Sequence, residues 1–235
     1  MNEETPISEE TTSAPPKTAD FMCPPHYRRS ARVGQVVYVR QDVRDDQLKT
    51  LLTHPGEILK NSPKAVVRKV GPWVVKESIG GAGLTTLKYN LLREKYRRAW
   101  LAAHHLRRRR VLVPEPLAYI EKRRLGLVTG NIFITQYLEG FRNVEEFLLT
   151  LVKFGAGQDA LTGFLTRLAD AVNGIAAAGA YHADLSGKNI FTRDGGAFYF
   201  IDLDSVVLDG RYDEERRMKN HIQLYDSFCD ALNDT

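Results

Sequence analysis

The chain has 235 residues, 43% of them hydrophobic and 26% charged, with a formal net charge of +4, a balance that suits one globular domain or two lobes sharing a cleft. The longest apolar runs, such as FLLTLV at 147–152, are too short to cross a bilayer, and two cysteines without paired spacing, Cys23 and Cys229, predict neither a disulfide framework nor a zinc site. Residues 1–20 set Glu3, Glu4, Glu9, Glu10 and Asp20 against Lys17 alone, so the rest of the chain is more basic than the whole. That predicts an anionic partner without selecting one.

Residues 1–25 are rich in Glu, Thr, Ser and Pro and read as a disordered tail, with no basic start and apolar stretch of a secretory signal. A strand is expected over 34–42, a short helix over 45–54, and a hairpin over 64–78 turning at Gly71-Pro72. The spacing of Leu87, Leu91, Leu92, Tyr96, Trp100 and Leu101 predicts a helix over about 84–106. HHLRRRR at 104–110 reads as its solvated end, where arginines suit the helix dipole, or as an anion-recognition patch. Residues 112–140 give three short strands.

Beyond Gly140 helical patterns dominate, over 143–153 and over 158–178, the latter with Leu161, Phe164, Leu165, Leu168, Val172 and Ile175 inward and Gly179 as its stop. Two short strands, NIF and AFYFID, flank a turn at Asp194-Gly195-Gly196, and a last helix over 213–232 presents Met218, Ile222, Tyr225, Phe228 and Leu232 on one face. The plan is α+β: a tail (1–25), a β-rich part (26–140) and a mainly helical part (141–235).

Within this plan His182, Asp184 and Asn189 form H-x-D-x-x-x-x-N, and Asp202 follows at the end of a strand. A strand–loop–strand unit of this kind sets an Asp and an Asn beside a second Asp. That suits phosphoryl transfer, in which positioning and charge neutralisation do most of the work. Hard oxygen ligands from Asn189 and Asp202 would hold Mg2+ on nucleotide phosphates, and Asp184 would accept the proton of an attacking hydroxyl. The competing reading is turn chemistry, which also favours Asp and Asn. His182 reads as a buried brace, and Asp204 as either a second ligand or a turn cap.

YHADLSGKNIF (181–191) is similar to the catalytic loop of the protein-kinase-like superfamily, and FIDLD (200–204) to its metal-binding segment. With RRMKNHIQLYDSF (216–228), the pattern most resembles the bacterial lipopolysaccharide core kinases, which phosphorylate Kdo or heptose, and the likeness covers roughly 34–232. The resemblance implies a bilobal protein-kinase-like fold with a β-rich N-lobe and a compact, mainly helical C-lobe. It also implies ATP and Mg2+, with Asp184 as base and Asn189 and Asp202 as metal ligands. Lys76 would hold the α- and β-phosphates with Glu94 as its ion-pair partner, and the backbone near Gln136, Tyr137 and Leu138 would meet adenine; Ser186 occupies the superfamily's catalytic-loop lysine position, and Lys188, next to Asn189, is the lysine within reach of the γ-phosphate.

The implied acceptor is an inner-core lipopolysaccharide sugar at the cytoplasmic face of the inner membrane, with peripheral membrane contact and no nucleic acid. Two departures stand out. Asn61-Ser62-Pro63 occupies the turn where the superfamily places a glycine-rich loop, and Gly80, Gly81 and Gly83 follow Lys76 instead. Only about thirty residues follow Asp202, too few for a eukaryotic activation segment and peptide platform. A small-molecule phosphotransferase, an atypical protein kinase and a catalytically dead binding module are the alternatives.

Overall fold

Period-two alternation decides the architecture of the first half. The computed structural model describes residues 22–79, 94–208 and 213–233, with the side chains of residues 79 and 94–96 outside that set. Seven strands, β1 (Tyr27–Arg32), β2 (Gln35–Arg40), β3 (Glu57–Ser62), β4 (Ala65–Val70), β5 (Trp73–Ile79), β6 (Pro116–Arg124) and β7 (Leu127–Gln136), form one sheet in the order β1-β2-β6-β7-β5-β4-β3. Every neighbouring pair is antiparallel.

Val37, Val39, Val75, Ile132 and Ile134 face α1 (Asp45–Thr53), where Leu48 is buried against them. Their neighbours Val36, Tyr38 and Phe133 turn to the other face, onto Trp100 and Leu106 of α2 (Glu94–Arg108) and the second core. An aromatic knot holds α2 there: Trp100 meets Tyr27 and His104 edge-on and stacks on Tyr119. Arg97 on α2 pairs with the fully buried Glu121 of β6.

The hairpin at Gly71 and the helix over 45–53 match the sequence pattern, but residues 112–140 form two long strands rather than three short ones. Leu112 lies outside β6, with its carbonyl accepting from the Phe200 amide. Strands β1 and β3 had no apolar alternation to reveal them; YRRSAR and EILKNS become strands because β2 and β4 offer them paired edges. Of the residues predicted to line the 84–106 helix, 84–93 lie outside the described residues, and Trp100 and Leu101 are buried. The HHLRRRR run is only partly a solvated end: His104 and His105 pack inside, and Arg107 to Arg110 are exposed.

The second half carries β8 (Arg142–Asn143), α3 (Val144–Lys153), α4 (Gln158–Ala177), β9 (Ala180–His182), β10 (Ile190–Thr192), β11 (Tyr199–Phe200), β12 (Val206–Leu208) and α5 (Glu214–Asn233). Asn143 caps α3 by accepting from the Glu146 amide, and Gly179 closes α4 at φ +69°. Phe164, Leu168, Val172 and Ile175 are buried as the helical spacing predicts, whereas Leu165 is exposed.

The face predicted for α5 is corrected. Met218, Ile222, Tyr225 and Leu232 are exposed, and the buried stripe is Asn220, Leu224 and Phe228. Asn220 sits at the inward position because a strand end there needs a hydrogen-bonding partner.

Candidate active site

Register builds one wall of the site. Lys60, Val67, Lys76, Phe133, Tyr119, Tyr38 and Arg29 stand directly opposite one another across the seven strands. Directly paired residues share a face, and Tyr38, Tyr119 and Phe133 belong to the core around α2. Lys76 and Lys60 therefore point from the sheet towards the second half of the chain. The strain-free alternation that buries Val75 on one side delivers the lysine to the other.

The opposite wall is the segment after β11. Asp202 adopts a left-handed backbone (φ 53°, ψ 51°), a conformation short polar side chains tolerate better than most. A 3-10 turn, Leu203–Ser205, follows it. The Lys76 ammonium lies 2.7 Å from Asp202 Oδ1 and is also bonded by Asp204 Oδ2. Burial pulls the lysine pKa down, but the charges of Asp204 and Asp202 outweigh it and hold it above the ordinary value. For Asp202 burial acts upward, and the nearby Lys76 and Lys60 charges overcome it, leaving the carboxyl below its usual range.

The loop between β9 and β10 completes the arrangement. Asn189 donates its side-chain amide to the Asp184 carbonyl at 2.9 Å, which leaves the Asn189 amide oxygen for another partner. Asp184 itself is exposed. His182 is fully buried, with Nε2 3.2 Å from the Ile201 carbonyl and Nδ1 near the Ser205 hydroxyl. Burial lowers its pKa, against the pull of the Ile201 carbonyl and of Asp202 and Asp184, so it is a neutral brace rather than an acid.

Two contacts fasten this loop from behind, and neither was predicted from sequence. The Asn220 side chain of α5 donates to the His182 carbonyl at 2.6 Å and accepts from its amide at 3.4 Å. Ser227 accepts from the Gly187 amide and donates to the buried Glu145 of α3, whose other oxygen lies 3.9 Å from Lys188. A side chain on Gly187 has no room: a Cβ there would stand 2.5 Å from Glu145 Cγ. Lys60 was also missed, although the pairing of β3 with β4 places it in the row of Lys76.

At the far end of β7 the Gln136 amide donates to Glu115 and the Tyr137 amide to Pro72. Leu138 is buried, and its carbonyl accepts from Phe141. The Lys76 partner expected at Glu94 lies outside the described side chains; among the described residues the carboxylates paired with Lys76 are Asp202 and Asp204. Gly80, Gly81 and Gly83 also lie outside them. The Asn61-Ser62-Pro63 turn is the β3–β4 hairpin, closed by the Ser62 hydroxyl on Ala65.

The donor chemistry fits a hard divalent ion. Two carboxylates face a single ammonium, and the Asn189 side-chain oxygen, left over when its amide nitrogen donates to Asp184, is a neutral oxygen of the kind such an ion accepts. Among the described residues no three His, Cys, Asp or Glu side chains form a metal-binding group, so such an ion would need phosphate or water oxygens to complete its shell.

One solved structure shares this fold. The structure described as WaaP in complex with acyl carrier protein superposes with a TM-score of 0.60 at 17% identity, covering 80% of this chain and 76% of that one. A Toxoplasma gondii rhoptry antigen kinase domain gives a TM-score of 0.38 at 15% identity, covering 79% and 55% of the two chains. No curated protein sequence matches the chain. The first superposition supports the bilobal protein-kinase-like architecture, with a β-sheet N-lobe and a helical C-terminal lobe. The model of the lipopolysaccharide kinase (Kdo/WaaP) family matches residues 75–235, from the strand of Lys76 through the last helix, and the chain belongs to that family.

Proposed function

We propose that this phosphotransferase moves the γ-phosphate of ATP to a sugar hydroxyl of the lipopolysaccharide inner core, Kdo or heptose, at the cytoplasmic face of the inner membrane. The observation that supports it is the meeting of Lys76 from the sheet with Asp202 and Asp204 from the second lobe, beside a loop carrying Asp184 and Asn189.

In this reading Lys76 and Lys60 hold the triphosphate by charge, and the Leu138 amide is the hinge donor for adenine, since those of Gln136 and Tyr137 are committed to carbonyls. Asn189 and Asp202 hold Mg2+, which when bound neutralises the phosphate charge. Asp184 accepts the proton of the attacking hydroxyl as the new O–P bond forms and ADP departs. Lys188, exposed at the loop, neutralises the transferring group. The sheet through Gly140 and the helices from 141 onward act as the two kinase lobes, 26–140 and 141–235.

The test is Asp184→Asn. Removing the base lowers transfer to purified inner-core acceptor by about 10²–10⁴-fold, while ATP affinity, read by calorimetry, stays within about twofold. Undiminished transfer by the variant overturns the role of Asp184; transfer to aminoglycosides or peptides in place of the inner core overturns the acceptor.

A further inference from the structure

Two hairpin tips of the sheet lie side by side. The β2–β6 register sets Gln35 against Lys122, and the Arg123 amide donates to the Gly34 carbonyl at 2.7 Å. Val33 of the β1–β2 turn is therefore a neighbour of Arg124 and Leu125 at the β6–β7 turn. Both turns are fixed by a glycine at positive φ, Gly34 and Gly126. Single exposed apolar residues are ordinary. Here two adjacent tips carry Val33 at 105% and Leu125 at 96% exposure, with Leu127 half-exposed beside them.

Immediately behind them stand Arg32, Lys122, Arg123 and Arg124. Arg32 bonds Asp45, Lys122 bonds Glu77, and Arg123 bonds Glu121, which is fully buried. Arg124 is exposed with no ion-pair partner among the described residues.

The tips also share an end of the sheet with the β3–β4 turn. Ala65, next to the β3–β4 turn, pairs with Ser78, and Ser78 with Asn131, which faces Glu121 just short of the tips. The hinge residue Gln136 is at the opposite end, against Trp73.

From this juxtaposition we infer that the paired tips are a membrane-docking surface: Val33 and Leu125 enter the interface of a bilayer while Arg124, with the exposed Arg32 beside it, meets anionic headgroups. Apolar tips backed by basic side chains match the layering of an interface, with acyl chains below and negative charge above. The long arginine stems let the charged ends reach headgroups while the tips lie deeper. Lys76 pairs with Phe133, six residues along β7 from Leu127, so the bilayer surface would stand about 20 Å from the phosphate end of the cleft. This gives the membrane placement of the proposed function a named surface, and it rests on that reading only for the identity of the lipid-borne acceptor.

The test uses the full chain and vesicles without lipopolysaccharide, either neutral phosphatidylcholine or phosphatidylcholine with about one-third phosphatidylglycerol. The wild type co-floats with the anionic vesicles, less so as salt rises, and poorly with the neutral ones. Val33→Ser with Leu125→Ser lowers partitioning at least about tenfold, and Arg124→Glu lowers it several-fold. Phe154→Ser, which removes an exposed apolar side chain elsewhere, leaves it unchanged. Leu125→Trp emission shifts to shorter wavelength on adding anionic vesicles. Absence of wild-type binding, equal binding to neutral vesicles, or a double variant that binds like wild type each overturns the assignment, provided melting temperatures match. Nucleotide affinity is measured in parallel, so its loss with vesicle binding retained counts against the kinase reading and not against the docking surface.

Discussion

Lys76 on β5 and Asp202 after β11 are separated by 126 positions in sequence, yet their charged atoms lie 2.7 Å apart. The pair bridges the sheet and the second lobe at the place where a cation would sit. A lysine ammonium and a divalent ion compete for the same carboxylates, Asp202 and Asp204. Lys76→Met is therefore expected to lower phosphoryl transfer by at least about 10²-fold, yet to raise Mn2+ affinity of the nucleotide-free protein several-fold. Electron spin resonance of Mn2+ reads the second effect, and weaker metal binding by the variant would contradict the competition.

The titration directions of this pair give a pH expectation. Asp202 is depressed below its ordinary 3.8, so its contribution is present above that value and lost as pH falls through the lower folded pKa. Lys76 is raised above 10.5, so its contribution is present below that value and lost as pH rises through the folded pKa. The pair is thus intact from pH 5 to 9, and any pH dependence of transfer in that range belongs to other groups. Profiles of wild type and Lys76→Arg should share their inflections; an inflection that moves with the substitution overturns this.

Lys60 stands two strands from Lys76 in the same transverse row, about 10 Å away by strand spacing. The β3–β4 turn, Asn61-Ser62-Pro63, carries no glycine, and Lys60 on that hairpin is a second cation placed to cover a triphosphate. Lys60→Ala is expected to raise the KM for ATP about three- to tenfold through the lost Coulomb attraction, with kcat changed less. Lys60→Arg should restore most of it. An unchanged KM at low salt would remove Lys60 from the phosphate site.

Much of this was legible before the structure because it rests on local chemistry. The β4–β5 hairpin announced itself by Gly71-Pro72 between β-branched runs, α4 by its apolar spacing, and the loop by its Asp and Asn positions. What escaped depends on partners distant in sequence. EILKNS became a strand only through β4, and Lys60 acquired meaning only from that register. The α5 face was misassigned because periodicity counts apolar residues, whereas the inward position belongs to polar Asn220, required by the backbone of His182. The Glu94 side chain and the segment 80–93 lie outside the described residues.

His104 sits between Tyr27 and Trp100, and its Nε2 is buried with no hydrogen-bond partner. Burial, aided by Arg107, drives its pKa down to about 3 from 6.5. The folded chain therefore excludes a proton that the unfolded chain accepts, so stability is unaffected above pH 6.5 and falls below it. The slope is about 1.4 kcal/mol per pH unit from this group, and the lowered His105 and His182 act in the same direction. His104→Phe keeps the ring contacts and removes the proton site. Between pH 6.5 and 5 the variant should lose about 2 kcal/mol less than wild type in urea unfolding; parallel pH curves would show that His104 is protonated in the native state.

Asn220 satisfies both backbone groups of His182 from inside the protein, joining α5 to the strand that leads into the loop of Asp184 and Asn189. Replacing it with leucine keeps the volume and strands one buried amide and one buried carbonyl. Each unsatisfied group costs about 1–3 kcal/mol, so Asn220→Leu should lower unfolding free energy by about 2–6 kcal/mol. Asn220→Asp keeps the acceptor for the His182 amide but turns an oxygen on the carbonyl, so it should be no better than leucine. Transfer should fall with kcat more than with the KM for ATP, because the strain is delivered to Asp184 and Asn189 and not to the sheet that carries Lys76 and Lys60. A stable Asn220→Leu protein with wild-type kcat would show that the loop is positioned by other contacts, with the Gly187–Ser227–Glu145 chain as the remaining candidate.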